Sequence, residues 1–426
     1  MKVFFDSVGC RLNQAEIEKM ALDFRAAGYS IAENAAEADL VVINTCAVTA
    51  AASADSRQKV RQANRAGAQR IVVTGCWATL EPDEAMGFAG VSAVVPNEQK
   101  DQLASQMLGK SIEPYELEPL ERDPLPGIHR RTRAFIKVQD GCDNHCTFCV
   151  TRLARGKSVS TRKESVLGEV ITAEKGQVKE IVLSGVHLAS WGRDLPGEER
   201  LSDLIEYLLA NSRVERIRLS SIEPWDLDER FFDLWQNPRL CPHFHLPLQT
   251  GSGETLQRMA RHNTPEQYRG LVASIRSRMP EAAITTDLIV GFPGETETEF
   301  AESLQFVREM QFAGGHVFKY SAREGTPAAK FTGRVNGSLA RERSQSMRAV
   351  LAESESRYQQ QFLGRTVNVL WESSSQLNQR GWKLHGLTEN YLSVSAWGKR
   401  NLWNEINQVR ITEVKGGLLS GEILES

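Results

Sequence analysis

Gly141-Cys142-Asp143-Asn144-His145-Cys146-Thr147-Phe148-Cys149 is the stretch on which the reading of this chain turns. Its three cysteines follow a C-x3-C-x2-C spacing. Thiolates so close along a chain can converge on one soft metal centre, and an iron–sulfur cluster is the usual occupant. Three protein ligands on a four-iron cluster leave one iron open to a substrate or cofactor. Zinc would ask for a fourth Cys or His at motif spacing. His145 lies between the cysteines, outside such a spacing. The reading favours a cluster, with zinc and plain thiols as the alternatives.

This spacing, with the aromatic Phe148 just before the third cysteine, resembles that of the radical S-adenosylmethionine (SAM) enzymes. The resemblance implies that the open iron chelates the amino and carboxylate groups of SAM. It also implies that an electron from the cluster splits SAM into methionine and a 5′-deoxyadenosyl radical. The spacing by itself shows only an open soft-metal site.

Outward from this loop, the chain has 426 residues, enough for two or three domains. Its 41% hydrophobic and 25% charged residues are ordinary for a globular protein. A net charge of −3 argues against indiscriminate binding to nucleic acid, while leaving room for a local basic stripe. The first ten residues contain Asp6 and no long apolar run, so no signal peptide is read there. No stretch reaches the roughly 18 apolar residues of a membrane span. The expected location is therefore cytoplasmic, without a membrane partner. Disulfides are rare in that compartment, and the seven cysteines read as ligands.

Residues 2–8, 40–43 and 71–73 read as strands, separated by helical patterns such as Ile17, Met20, Ala21 and Phe24. That alternation predicts a parallel βαβ sheet. Each strand runs into a cysteine: Cys10, Cys46 and Cys76. Ligand sites in parallel sheets gather beyond the carboxyl ends of the strands, so these three thiols are expected to meet as a second metal site. The plainer reading is three buried structural cysteines.

The set Ser7-Val8-Gly9-Cys10-Arg11-Leu12-Asn13-Gln14, Asn44-Thr45-Cys46-Ala47-Val48-Thr49 and Val73-Thr74-Gly75-Cys76 resembles the N-terminal domain of the methylthiotransferases, two-cluster radical SAM enzymes that replace C–H by C–S–CH3. Leu12-Asn13-Gln14, Ala47-Val48-Thr49 and Ser56-Arg57-Gln58 are most similar to the class acting on N6-threonylcarbamoyladenosine (t6A) next to the tRNA anticodon.

The prolines at 114, 119, 124 and 126, in an acidic unpatterned stretch, mark a linker. It ends in His129-Arg130-Arg131-Thr132-Arg133, either a solvated face or a phosphate contact. Arg152, Arg155, Lys157, Arg162 and Lys163 flank the cluster loop, where a polyanion would need such charges.

From residue 134 to about 320, strands and helices alternate in five or six β/α units, which predicts a partial or full parallel barrel. Gly185 in Leu183-Ser184-Gly185-Val186-His187 has no side chain to keep a ligand away. His187 is read either as pointing at SAM or as a satisfied partner. Glu223 is read either as a ribose contact or as a surface carboxylate. The stretches His245-Leu246-Pro247-Leu248-Gln249-Thr250-Gly251-Ser252-Gly253 and Asp287-Leu288-Ile289-Val290-Gly291-Phe292-Pro293-Gly294-Glu295 resemble family motifs, which makes Gln249 and Asp287 candidates for SAM contact. Cys241 reads as structural.

Beyond residue 362, five short strands with glycine turns predict a small OB-like β-barrel. Its length and place resemble the RNA-binding TRAM domain of tRNA methylthiotransferases. Trp371, Trp382, Tyr391, Trp397 and Trp403 are candidate stacking faces or core residues.

The expected architecture is α/β: an N-terminal parallel α/β domain (1–112), a linker (113–133), a central radical SAM (β/α) partial barrel (134–362) and a C-terminal barrel (363–426). The resemblance implies two [4Fe–4S] clusters, one on Cys142, Cys146 and Cys149 and an auxiliary one on Cys10, Cys46 and Cys76. It further implies SAM as cosubstrate, tRNA as substrate and a flavodoxin- or ferredoxin-type reductant. It leaves the sulfur donor open. In the implied reaction one SAM methylates an auxiliary sulfur, and a radical from a second SAM abstracts hydrogen from C2 of the adenine. The same chemistry on isopentenyladenosine or on a ribosomal-protein aspartate, a single-cluster iron–sulfur protein and a zinc RNA-binding protein are the alternatives.

Overall fold

The structure is a computed structural model that describes residues 1–109, 132–197, 199–227, 229–379 and 381–424. Most of the linker expectation therefore lies outside the described residues. So do His129, Arg130 and Arg131.

The N-terminal sheet contains β1 (Lys2–Ser7), β2 (Ser30–Ile31), β3 (Leu40–Thr45), β4 (Ile71–Gly75) and β5 (Val91–Val95). All five strands are parallel, in the order β2-β1-β3-β4-β5. The runs Leu-Val-Val-Ile and Ile-Val-Val are buried along their whole length, as a sheet covered on both faces requires. Helix α1 (Arg11–Ala26) begins six residues before Ile17, where its apolar spacing is read, and α2 (Ala50–Arg65) is capped by Thr49. Helix α3 (Cys76–Leu80) starts on a cysteine.

The central unit contains β6 (Arg133–Lys137), a small antiparallel pair of β7 (Gln139–Asp140) and β8 (Val159–Ser160), then β9 (Glu180–Ser184), β10 (Arg216–Leu219), β11 (His243–His245), β12 (Ala283–Val290) and β13 (Gly314–Lys319). Two three-stranded parallel sheets, β6-β9-β10 and β11-β12-β13, are joined by the bridges Ile217–Leu240 and Ser221–His245. The result is an open arc of six parallel strands, which is a partial barrel. Helix α1 packs along β6 at one edge, and the helix Gly337–Gln360 packs on β13 at the other. One apolar core runs through the arc from Ala134 to Leu351.

The strands β14 (Thr366–Asn378), β15 (Gly381–Thr388), β16 (Ser393–Gly398), β17 (Ile406–Lys415) and β18 (Leu418–Ile423) close into a barrel in the order β14-β15-β16-β18-β17. Antiparallel neighbours with one parallel pair, β16 and β18, make a five-stranded Greek-key barrel. Trp371 is buried in its core, whereas Trp397 stays 37% exposed.

Tyr391 is not available for stacking on RNA, contrary to the sequence expectation. The β15–β16 turn carries it to the amino ends of the central strands, where its ring stacks on His243 at 4.8 Å. The guanidiniums of Arg11, Arg133 and Arg218 lie 4.9, 5.6 and 4.9 Å from the ring centre. Arg218 is itself buried on Glu180 at 2.7 Å and donates to the carbonyls of Thr388 and Glu389. Arg133, the last residue of the basic run, pairs with Glu372 at 2.5 Å and is no phosphate contact.

His243 gives this junction a pH dependence. Burial, then the charges of Arg218, His245, Arg11 and Arg133, hold its pKa well below the ordinary imidazole value. The unfolded chain takes up the proton near pH ~6.5 and the folded one does not. Stability from this residue is therefore present above that pH and is lost as pH falls through and below it. His243→Phe is expected to flatten the decline in urea midpoint between pH 7 and 5, and a slope equal to wild type would contradict the assignment.

Candidate active site

The register of the N-terminal sheet brings the first triad together. Ser7 pairs with Asn44, Asn44 with Thr74, and Thr45 with Gly75, so Cys46 and Cys76 leave neighbouring strands at the same level. Cys10 caps α1 on the strand beside them. The turns before two of these cysteines admit only glycine. At Gly9 φ is +102°, and an added Cβ would lie 2.6 Å from Cys46 Sγ. At Gly75 φ is +97°, and a Cβ would lie 2.3 Å from the Thr45 carbonyl. The protein atoms crowded around Cys10 raise its thiol against the opposing pull of Arg155, although the residue keeps exposed surface, and burial pushes Cys46 up to about 11. Ser56 fixes the Cys46 backbone by accepting from its N–H and donating to its carbonyl, both at 3.0 Å.

The second triad lies in the loop after β7. The loop backbone is anchored by Cys142 N–H to Gly156 carbonyl at 3.2 Å, Thr147 N–H to Met259 carbonyl at 3.0 Å and Ala328 N–H to Thr147 carbonyl at 2.9 Å. Phe148 packs edge-on against Phe292 in a small cluster with Met259 and Ala328. That contact gives the aromatic before Cys149 a packing role. Burial pushes the Cys142 thiol up to about 12 and raises Cys146, where Arg261 opposes it from 3.9 Å.

The short helix Thr151–Arg155 joins the two triads. Arg155, expected from sequence to meet a polyanion, turns inward instead. It donates to Glu16 Oε1 and Asp140 Oδ1 at 2.8 Å and to Asn13 Oδ1 at 2.8 Å. Asn97 donates to the Ala154 carbonyl at 2.6 Å and approaches Cys76 Sγ at 3.8 Å. Glu16 also takes Lys100 at 2.7 Å, with both side chains 2% exposed. Burial alone would raise the Glu16 carboxyl, but Arg155, Lys100 and Lys137 hold it well below the carboxylate range. One signal of this network was present in the sequence: Glu16 occupies the apolar face that continues through Met20 and Phe24, and a carboxylate there needs a buried cation. Arg155 and Asn97 had no such signal.

Two of the remaining candidates reach the second triad, His187 through Asn144 and Glu223 through Arg261 beside Cys146. At Gly185 a Cβ would lie 2.9 Å from Gln139 Oε1, which accepts from His187 N–H. Both His187 ring nitrogens have neighbours, Asp226 Oδ2 at 2.5 Å and Asn144 Nδ2 at 3.4 Å. Glu223 is held by Arg261 at 2.7 Å, and Arg261 lies 4.4 Å over the Trp225 ring. Gln249 has φ +72°, an uncommon conformation for a residue with a side chain, locked by backbone bonds to Asp287 and Ile289. Asp287 Oδ2 lies 3.3 Å from His245 Nε2, while its Oδ1 is enclosed without a partner. Cys241 is buried, apart from both triads.

Both triads offer cysteine thiols alone, the ligand type that iron–sulfur clusters take. Among the described residues no three His, Cys, Asp or Glu side chains close on a single ion. Around the first triad Asn44 Oδ1, Thr74 Oγ1 and Asn97 Oδ1 are enclosed without partners.

The parallel arc with a three-cysteine loop after its first strands defines a radical SAM protein. Residues 136–307 match the radical SAM superfamily model, and residues 2–96 match that of the uncharacterized protein family UPF0004. The radical SAM methyltransferase TsrM from Kitasatospora setae shares the fold, with TM-score 0.57 and 15% identity over 77% of this chain and 76% of that one. The threonylcarbamoyladenosine tRNA methylthiotransferase MtaB of Bacillus subtilis is 34% identical over 96% of this chain and 93% of its own. The enzyme of that name from Thermotoga maritima is 35% identical over 87% and 86%. The tRNA-2-methylthio-N(6)-dimethylallyladenosine synthase of Maricaulis maris is 30% identical over 100% and 98%. The chain belongs to the methylthiotransferase family of radical SAM enzymes, whose cofactors are SAM and [4Fe–4S] clusters. No described helix is long and apolar enough to cross a membrane.

Proposed function

We propose that this enzyme converts t6A next to the tRNA anticodon into its 2-methylthio derivative. The observation that carries the proposal is the coupling of two separate cysteine triads through Arg155 and Asn97. The t6A substrate follows the printed activity of the two relatives at 34% and 35% identity. In this reading Cys142, Cys146 and Cys149 hold the cluster that meets SAM, and Cys10, Cys46 and Cys76 hold the auxiliary one. When bound, the clusters and SAM supply the electron, the radical and the inserted sulfur. Arg155 and Arg261 set positive charge beside the two triads, offsetting the thiolates. Gly185 leaves room for the methionine end of SAM, with His187 orienting Asn144 of the cluster loop. Glu223, Gln249 and Asp287 are the proposed contacts to its nucleoside end. The proposal keeps the division 1–112, 113–133, 134–362 and 363–426, a flavodoxin- or ferredoxin-type electron donor and a cytoplasmic location.

Anaerobic reconstitution tests the assignment of the triads. About eight irons per chain are expected, falling to about four when Cys142, Cys146 and Cys149 are all changed to alanine. Four in the wild type and none in the variant would remove the auxiliary cluster. Nucleoside analysis of tRNA carrying t6A or isopentenyladenosine then decides the substrate, and product from the latter alone would overturn the t6A reading.

A further inference from the structure

We infer that Arg323 reads the carboxylate of the threonylcarbamoyl substituent, an inference that rests on the t6A reading above. That substituent ends in an amino-acid carboxylate, which an isopentenyl group lacks, so a site selective for it needs an uncommitted cation beside both triads. Several nearby guanidiniums are already matched: Arg155 by Glu16 and Asp140, Arg261 by Glu223, Arg193 by Asp226 and Arg258 by Glu299. Among the described residues Arg152 has no carboxylate partner, but its guanidinium is turned onto His145 and the Asp143 carbonyl.

Arg323 is placed differently. It follows β13, in a turn whose backbone is fixed because the Thr326 hydroxyl and N–H both donate to the Arg323 carbonyl, at 2.6 and 3.2 Å. The turn leans on the second triad from one side. Ala328 N–H reaches the Thr147 carbonyl between Cys146 and Cys149, and Gly325, at φ +81°, lies against the Leu153 side chain. From the other side Arg323 Nη2 donates to Ser53 Oγ at 2.9 Å. Ser53 lies in α2, one turn before the Ser56 that fixes Cys46. The guanidinium thus stands between the helix that follows Cys46 and the loop that carries Cys146 and Cys149.

Among the described residues its hydrogen bond is to a neutral hydroxyl, it forms no ion pair, and its Nε is enclosed without a partner. With Nε shut off from solvent, the Nη hydrogens not used on Ser53 are the ones that can donate to a carboxylate. A site that hydrogen-bonds a substrate group rejects the analogue lacking it far more strongly than an apolar pocket rejects a missing methylene.

The test uses the reconstituted full-length enzyme and two anticodon stem-loop RNAs. One carries t6A, and the other carries t6A with its carboxylate converted to the neutral methylamide. The wild type is expected to show a KM at least about 10-fold higher for the amide. Arg323→Gln should raise KM for t6A RNA by about 10- to 100-fold with little change in kcat, and should no longer distinguish the two RNAs. Arg323→Lys should fall between. Iron content and melting temperature at wild-type values establish that the variants are folded. A wild type that treats acid and amide alike overturns the inference whatever the variants do, and so does a folded Arg323→Gln that keeps the wild-type preference. Turnover of t6A RNA without that preference removes the role of Arg323 alone. Absence of turnover on t6A RNA, with activity on isopentenyladenosine RNA, removes the functional reading as well.

Discussion

Replacing Glu16 with alanine is expected to cost the protein about 3–5 kcal/mol, the penalty for breaking a buried ion pair from one side. Arg155 keeps Asp140, and Lys137 keeps Asp140 and Asp101. Lys100 has no second carboxylate in an ion pair among the described residues, and its side chain is 2% exposed. The variant therefore strands one cation in the wall between α1 and the cluster loop. Asn44 also loses its 2.9 Å bond to Glu16 Oε2, next to the Cys46 turn. Urea denaturation measures the loss, and a change below about 1 kcal/mol would show that the interior tolerates the lone ammonium. Adding Lys100→Met to Glu16→Ala should recover much of the stability, because the pair is then absent as a whole. The pH dependence has a definite sign. The folded carboxyl is held well below its unfolded value of about 4.3, so its contribution is complete above that pH and is lost as pH falls through the folded value. Glu16→Gln should lack that acid limb.

Changing Cys10, Cys46 and Cys76 together to alanine is expected to abolish methylthio product while leaving reductive SAM cleavage close to the wild-type rate. The two triads are built by different elements. The first hangs on the carboxyl ends of β1, β3 and β4, and the second is anchored through Gly156, Met259 and Ala328, all in the central unit. Removing the first set leaves every one of those anchors in place. Quantifying 5′-deoxyadenosine and the modified nucleoside in the same reaction checks the division. Loss of both products in a variant that retains four irons would show that the second triad needs the first for SAM cleavage, and the two-site assignment would fall.

The parts of this enzyme that could be read early are those where local pattern and final environment agree. Buried parallel strands are nearly continuous apolar runs, so the strands at Leu40–Thr45 and Ile71–Gly75 are legible from Leu-Val-Val-Ile and Ile-Val-Val. Cysteines directly after such runs had to emerge at one edge of a sheet, because parallel strands share a direction. Boundaries are lost where polar residues continue an element: β3 runs past Ile43 through Asn44 and Thr45, and α1 begins at Arg11, ahead of the spacing that starts at Ile17. The two strands Ser30–Ile31 and Val91–Val95 passed unread because one is two residues long and the other is only partly buried.

By itself, then, the sequence determined the order of the three structural units, the parallel handedness of the first two and the grouping of six cysteines into two sets of three. These properties rest on spacing and on apolar pattern, which a linear chain carries openly. Only the tertiary structure decided which charges are spent inside the protein and which remain for a ligand. Arg155 and Arg323 are indistinguishable as letters near a cluster loop. One is neutralised by a carboxylate 139 residues away, and the other meets a neutral serine 270 residues away. Coulomb energy and desolvation depend on distance and enclosure in space, and neither quantity is written along the chain.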